Sequence, residues 1–146
     1  MFADSNLVYG TIIVSPSDKI LVVKGRKSGK WSFPKGHSYL EETELECAIR
    51  ETYEETGLQL SEYFQRTLYL STGNYFLYSY DSEPFCTTND RNEIQEIKWA
   101  SIQELRSMNV NIDVNTFLRN HSSFYSPKKY FPSPVKLPSP IRPDFI

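Results

Sequence analysis

The sequence has little cysteine, no long apolar run and almost no net charge, and each shortage removes a class of protein. Two cysteines, Cys47 and Cys86, are too few for a disulfide scaffold and lack metal-ligand spacing. They read as reduced thiols in a cytoplasmic protein. The longest apolar stretches, such as Gly10 to Val14 and Ile20 to Val23, are strand-sized, whereas a membrane-spanning helix needs roughly 20 apolar residues. The opening Met-Phe-Ala-Asp-Ser-Asn has no basic region running into an apolar one, so no secretory signal is expected. A formal net charge of -2 argues against a surface that coats nucleic acid broadly. It leaves room for a nucleotide or an RNA end, because a bound cation can supply positive charge where a phosphate sits. No internal repeat is present.

What remains suits a single globular domain: 146 residues, 39% hydrophobic, 23% charged. Leu7 to Ser15 and Lys19 to Lys24 are rich in Val and Ile and flank Ser-Pro-Ser-Asp, which predicts a β-hairpin. Lys24 to Lys30 reads as a basic, flexible loop, and Trp31 to Phe33 as a short extended piece held out of helix by Pro34. From Glu44 to Thr56 the spacing turns helical, with Leu45, Ala48, Ile49 and Thr52 as the core-facing stripe and Gly57 as the stop. Two strands are expected at Arg66 to Ser71 and Tyr75 to Tyr80 around Gly73-Asn74, and another from Glu93 to Ala100. Ser101 with Glu104 forms a capping-box pattern for a short helix, and Asp113 to Asn120 is a further amphipathic segment. Trp99 and Phe117 are assigned to the core. Six of the nine prolines fall after Ser126. The expected organisation is therefore one domain over 1–125 and an extended or disordered proline-rich tail over 126–146.

Between Glu41 and Thr56 stand seven glutamates, at 41, 42, 44, 46, 51, 54 and 55, against the lone Arg50. Like charges three or four apart weaken a helix by a few tenths of a kcal/mol, roughly, per pair. At about 100° per residue, Glu51, Glu54 and Glu55 fall within one arc, with Glu44 pointing the same way a turn earlier. Converging carboxylates suit hard divalent cations such as Mg²⁺ or Mn²⁺, which take oxygen ligands and also bind phosphates. A solvated acidic face is the other reading of the cluster alone.

The surrounding spacing is more specific. Gly36, five residues, Glu42, seven residues, Arg50-Glu51, two residues, Glu54-Glu55, one residue and Gly57-Leu58 reproduces the Nudix box. Thr52 stands where that pattern usually has an aliphatic residue. The chain thus resembles the Nudix hydrolases, which implies an α/β fold with a mixed β-sheet sandwiched between α-helices. The resemblance also implies that the Gly36 carbonyl and Glu51, Glu54 and Glu55 hold Mg²⁺ or Mn²⁺. Glu42 would lie near the metals, and Arg50 would hold the glutamates by charge-assisted hydrogen bonds. Such enzymes cleave a nucleoside diphosphate linked to a further group by attack of water on phosphorus, aided by the metals.

The flanks narrow the likeness. Trp31-Ser-Phe-Pro-Lys-Gly36, Cys47-Ala-Ile-Arg-Glu-Thr-Tyr-Glu-Glu-Thr-Gly57 and Arg91-Asn-Glu-Ile94 leading to Ile97-Lys-Trp99 resemble the catalytic domain of the mRNA-decapping Nudix enzymes. That resemblance makes Glu93 a further catalytic or metal-binding carboxylate. Glu96 competes for the role, since on a strand starting near Glu93 the two would face opposite sides. Two features depart from that family. The chain has no room for a preceding helical domain, and Asp113 to Asn120 carries only Arg119 where a basic RNA-binding helix is usual. Dinucleoside polyphosphate and diphosphoinositol polyphosphate hydrolases share the box and stand as alternatives; His37 after Pro-Lys-Gly fits the former. A catalytically silent nucleotide- or partner-binding module is a further alternative, against which all the box glutamates are retained. Lys35 is a candidate phosphate contact; Trp31, Tyr75 and Tyr78 are candidate base-stacking residues. Lys24, Arg26, Lys27 and Lys30 form a basic rim, and His37 and His121 show no pairing that suggests a catalytic dyad.

Overall fold

The turn formers Ser15 to Asp18 join strand β1 (Val8–Val14) to β2 (Lys19–Gly25) as an antiparallel hairpin with Val14 opposite Ile20. Asp18 takes a left-handed φ of 63° in that turn. The computed structural model describes residues 6–121; the proline-rich stretch 126–146 lies outside the described residues. After β2 come the two-residue strands β3 (Trp31–Ser32) and β4 (Lys35–Gly36), then helix α1 (Glu44–Thr56). Strands β5 (Arg66–Tyr69), β6 (Gly73–Ser79) and β7 (Ile94–Ser101) follow, then helices α2 (Ile102–Arg106) and α3 (Ile112–Asn120).

The seven strands form one mixed sheet in the order β3-β2-β1-β6-β5, with β4 added on β1 and β7 on β2. The β1–β6 ladder is parallel and the other pairs are antiparallel. Strand parity sorts the core into two halves. Val8, Ile12, Val14, Ile20, Val22, Tyr75 and Leu77 pack beneath α2 and α3 with Leu105, Val114, Phe117 and Leu118. Tyr9, Ile13, Leu21, Phe76 and Tyr78 face Cys47 and Ala48 of α1. The sheet is sandwiched between helices, the α/β/α arrangement that the sequence implies. Among the described residues no helix is long and apolar enough to cross a membrane.

Thr43 opens α1 in a capping box with Glu46, and Gly57 closes it at φ 79°, a left-handed geometry that glycine adopts without strain. The buried face is rotated from the predicted stripe: Cys47, Ala48, Thr52, Glu55 and Thr56 are buried, whereas Leu45 and Ile49 are half-buried. Threonine chemistry explains part of this. The hydroxyls of Thr52 and Thr56 donate to the carbonyls of Ala48 (2.8 Å) and Thr52 (2.7 Å), so polar side chains can face inward without loss.

Thr52 Oγ1 also lies 2.6 Å from Oγ1 of Thr11 on β1, and both residues are fully buried. Because Thr52 donates to Ala48, Thr11 must be the donor to Thr52. Thr52→Val removes that acceptor and is expected to destabilise the protein by about 1–3 kcal/mol. The loss would appear as a lower urea midpoint, most of it recovered when Thr11→Val is added. A double variant as unstable as the single one would deny the pairing.

Three of the boundaries that differ from the sequence reading bear on the site and its support. The β5–β6 turn is Leu70 to Thr72, and Gly73 and Asn74 belong to β6, with Asn74 opposite Tyr69. The cause is Asp113 on α3, a fully buried carboxylate that accepts from Thr72 N and Tyr75 Oη, both at 2.7 Å. The last helix starts one residue earlier than predicted, with Asn111 as its cap. Strand β7 begins at Ile94, which leaves Glu93 in the turn before it.

Candidate active site

Arg50 on α1 gathers the acidic side chains. Its Nε and Nη2 grip Glu42 at 2.6 and 3.0 Å, and its Nη1 reaches Oε2 of Glu51 and of Glu54, both at 3.1 Å. Nη2 also donates to the His37 carbonyl at 3.1 Å, and the guanidinium lies 3.7 Å above the Tyr39 ring. Glu42 accepts a further bond from Tyr39 N at 2.8 Å. The Arg50 hydrogen bonds hold the Glu42 carboxyl below the usual carboxylate range despite its partial burial.

Glu51 and Glu55 behave oppositely. Burial pushes Glu51 up to about 7, with Arg50 opposing and Glu54 and Glu93 adding repulsion. Burial pushes Glu55, only 4% exposed, up to about 8, with Lys35 opposing and Glu51 and Glu93 adding to the rise. Lys35 N on β4 donates to Glu55 Oε1 at 3.3 Å. The next residue, Gly36, lets the Glu51 carboxylate lie against this strand: a Cβ there would stand 2.1 Å from Glu51 Oε2. Cys47 Sγ points at the Gly36 carbonyl at 3.5 Å, and burial raises that thiol to about 12.

Glu93 completes the group from outside α1. Its backbone is fixed by Asp90, whose Oδ1 accepts from Glu93 N at 3.2 Å, and by Arg26 N, which donates to Glu93 O at 2.7 Å. A cleft of ≈ 320 Å³ is lined by Lys35, Gly36, His37, Glu51, Glu55 and Glu93. Glu96 is elsewhere, on β7 opposite Lys24 and exposed. The structure therefore separates the two candidates for a different reason than strand parity, since Glu93 is not on the strand. Glu44 stays out of the cluster's hydrogen bonds, exposed and accepting from Asn74 Nδ2 at 3.3 Å.

A larger cleft of ≈ 600 Å³ adjoins this one through Lys35, Glu55 and Glu93, with Arg26, Lys27 and Lys30 along its basic side. The basic segment is an ordered turn rather than a flexible loop: Gly25 N donates to Lys30 O and Gly29 N to Gly25 O. Lys24 lies on β2. Asn92 and Asn111 also line this cleft. Sequence reasoning missed both; Asn111 carried a detectable signal as a helix cap, Asn92 none.

The proposed aromatic contacts fare differently. Tyr75 is fully buried, donates to Asp113 and meets Phe33 edge-on at 5.4 Å, so it cannot stack on a substrate. Tyr78 is likewise buried, with its hydroxyl on Ser61 O at 2.8 Å. Trp31 is half-buried and borders a different cleft. His121 stacks on Phe117 at the end of α3. Phe117 is fully buried in the core, and Trp99 packs against the α1 side with Nε1 donating to Pro84 O at 3.0 Å.

Among the described residues no three His, Cys, Asp or Glu side chains stand close enough, as placed, to enclose an ion. The hydrogen bonds from Arg50 draw Glu51 and Glu54 onto the guanidinium. The donor chemistry still fits a hard divalent cation. The available groups are carboxylate oxygens, and burial leaves two of them inclined to hold protons that a cation would displace.

Residues 5–125 match the family model described as the NUDIX domain. The chain is 34% identical over 109 residues to "mRNA-decapping enzyme subunit 2" of Saccharomyces cerevisiae (strain YJM789), covering 70% of this chain and 11% of that protein. It thus spans about a tenth of that relative's length. It is 30% identical over 102 residues to "Phosphatase NudJ" of Escherichia coli O1:K1 / APEC, covering 64% of this chain and 67% of that one. In three dimensions it resembles a C. elegans Ap4A hydrolase, solved as a binary complex, with a TM-score of 0.65 and 23% identity. That match covers 80% of this chain and 96% of the other.

Proposed function

The chain belongs to the Nudix family, and on that premise we propose that it is a divalent-metal-dependent pyrophosphohydrolase of the decapping type. It would cleave a nucleoside diphosphate linked to a further group, releasing m7GDP from capped RNA. The observation that carries this reading is the cleft in which Arg26, Lys27, Lys30 and Lys35 stand beside Glu55 and Glu93. Cations of the protein can hold a polyphosphate there while the carboxylates hold a metal. Residues 1–125 would form the catalytic domain, acting in the cytoplasm.

Nudix hydrolases generally use divalent metals. Bound Mg²⁺ or Mn²⁺ would lower the pKa of the attacking water and neutralise charge on the phosphoryl oxygens. Glu51, Glu54, Glu55 and the Gly36 carbonyl are the groups to hold it. Arg50, itself gripped by Glu42, would keep Glu51 and Glu54 in place, Lys35 N would steady Glu55, and the Lys35 ammonium can meet a phosphate oxygen. Glu93, which lines the same small cleft as Glu51 and Glu55, would take the proton of the water.

Glu93→Ala is expected to lower kcat about 10²–10⁴-fold, the range of a lost general base. Glu96→Ala should stay within about twofold of the parent, as surface changes usually do. Steady-state kinetics on one substrate decides it: equal losses, or a loss at Glu96 alone, would move the base elsewhere.

A second reading has its own support. The match to the NudJ phosphatase spans 67% of that protein; on this reading the substrate would be a small phosphorylated molecule such as a dinucleoside polyphosphate or diphosphoinositol phosphate. A substrate panel with Mg²⁺ and with Mn²⁺ separates the two: capped RNA, free cap analogue, diadenosine polyphosphates and diphosphoinositol phosphates. Release of m7GDP from capped RNA is the expected result; preference for the small molecules would overturn decapping.

A further inference from the structure

Arg26 and Ile94 border two clefts, so the basic cleft beside Glu55 continues into a second one of ≈ 780 Å³. This second cleft runs over the outer edge of β7. Among the described residues β7 pairs with β2 alone. Glu96 and Lys98 share the parity of Ala100 and so lie on the α2/α3 face, whereas Ile97 packs toward α1; all three line the cleft. Its charges are Arg26, Arg91 and Lys98, the last paired with Glu104 at 3.5 Å, against Glu96. It also presents two aromatic rings, the half-buried Trp31 and Phe85, which is 94% exposed.

We propose that this cleft binds a single-stranded RNA segment continuing from the pyrophosphate end held beside Glu55 and Glu93, an assignment that rests on the decapping reading above. A substrate of that kind has a chain that must leave the site, and its first phosphates are matched by the arginine common to both clefts. Cationic side chains answer the RNA backbone and release its counterions. Aromatic faces accept any base by stacking, which suits a transcript of arbitrary sequence. The track supplies what α3, with Arg119 as its lone basic residue, does not. An extended peptide paired to the β7 edge is the rival occupant. The excess of positive charge and the continuity with the phosphate cleft favour RNA.

Phe85→Ala and Arg91→Ala test this, because both residues are exposed and the Arg91 carbonyl keeps its bond from Arg26 Nε. Fluorescence anisotropy with an uncapped, 5′-phosphorylated RNA of about ten nucleotides should show salt-sensitive binding that each substitution weakens about tenfold, the scale of one lost stacked base or charged contact. In hydrolysis, the parent should prefer a capped RNA of that length over a capped dinucleotide. Both variants should lose this preference while cleaving the dinucleotide at the parental rate. RNA affinity and length preference that survive both substitutions would overturn the assignment, as would binding of an acidic peptide but not RNA at this edge. A parent that binds RNA through Phe85 and Arg91 yet cleaves no capped substrate would sink the decapping reading and leave the RNA cleft standing.

Discussion

Glu54→Gln and Glu55→Gln are each expected to lower metal-dependent hydrolysis about 10³-fold with the fold intact. A metal contributes several kcal/mol of transition-state stabilisation, and each 1.36 kcal/mol is roughly tenfold in rate. Glutamine keeps the shape and one acceptor oxygen of glutamate but not the charge that would hold a cation. The two positions should differ in stability. The Glu54 side chain is 38% exposed and shares Arg50 Nη1 with Glu51, so glutamine there weakens one ion pair while the guanidinium keeps its other partners. Glu55 is buried, and burial pushes its carboxyl up to about 8. A neutral amide sits more comfortably there, so the metal-free Glu55→Gln protein should melt at least as high as the parent above pH 8. Initial rates at saturating Mg²⁺ or Mn²⁺, with a melting curve for each variant, check both halves. Normal turnover by both variants would remove these glutamates from the metal set.

Raising the pH should destabilise the metal-free protein and strengthen its response to metal. Folded Glu51 and Glu55 titrate at about 7 and about 8, against an ordinary value of 4.5. Between those limits the folded chain keeps protons that the unfolded chain has released, so stability falls as pH rises. Their contribution is complete below 4.5 and is lost by the time pH passes 8. Each unmatched proton is worth about 1.4 kcal/mol per pH unit at most. Glu42, held low by Arg50, acts below 4.5, outside this window. His121, lowered by burial, acts in the opposite sense below 6.5. The interval from 6.5 to 8 therefore reports the two glutamates most directly. Metal binding at these carboxylates would need both deprotonated and would release their protons. Melting curves in EDTA should fall across that interval, and the increment given by Mn²⁺ should grow. A rising EDTA curve, or a metal increment independent of pH, would contradict the assignment.

Much of the site is legible because it is local. The glutamates at 51, 54 and 55, the arginine at 50 and the terminal Gly57 are set by helical geometry within one segment, and α1 spans Glu44–Thr56 as their spacing predicts. The hairpin and the capping box at Ser101 are local in the same way. What the sequence hides depends on contacts between distant segments. Tyr75 alternates like a surface strand residue, yet Asp113, 38 positions away, takes its hydroxyl into the core. Glu93 reads as the first residue of a strand until Asp90 turns the chain there and aims it at α1. The rotation of the buried face of α1 follows from threonine hydroxyls that apolar periodicity ignores.

The hydroxyl pair between Thr11 and Thr52 couples the box and the first strand into a single packing unit. A chimaera that carried residues 36–58 into a relative with an aliphatic first strand would leave Thr52 without its donor. The reverse graft would strand the Thr11 hydroxyl in the core. The segment bearing the glutamates is thus no portable cassette in this protein, and a substitution at either threonine changes what the core tolerates at the other.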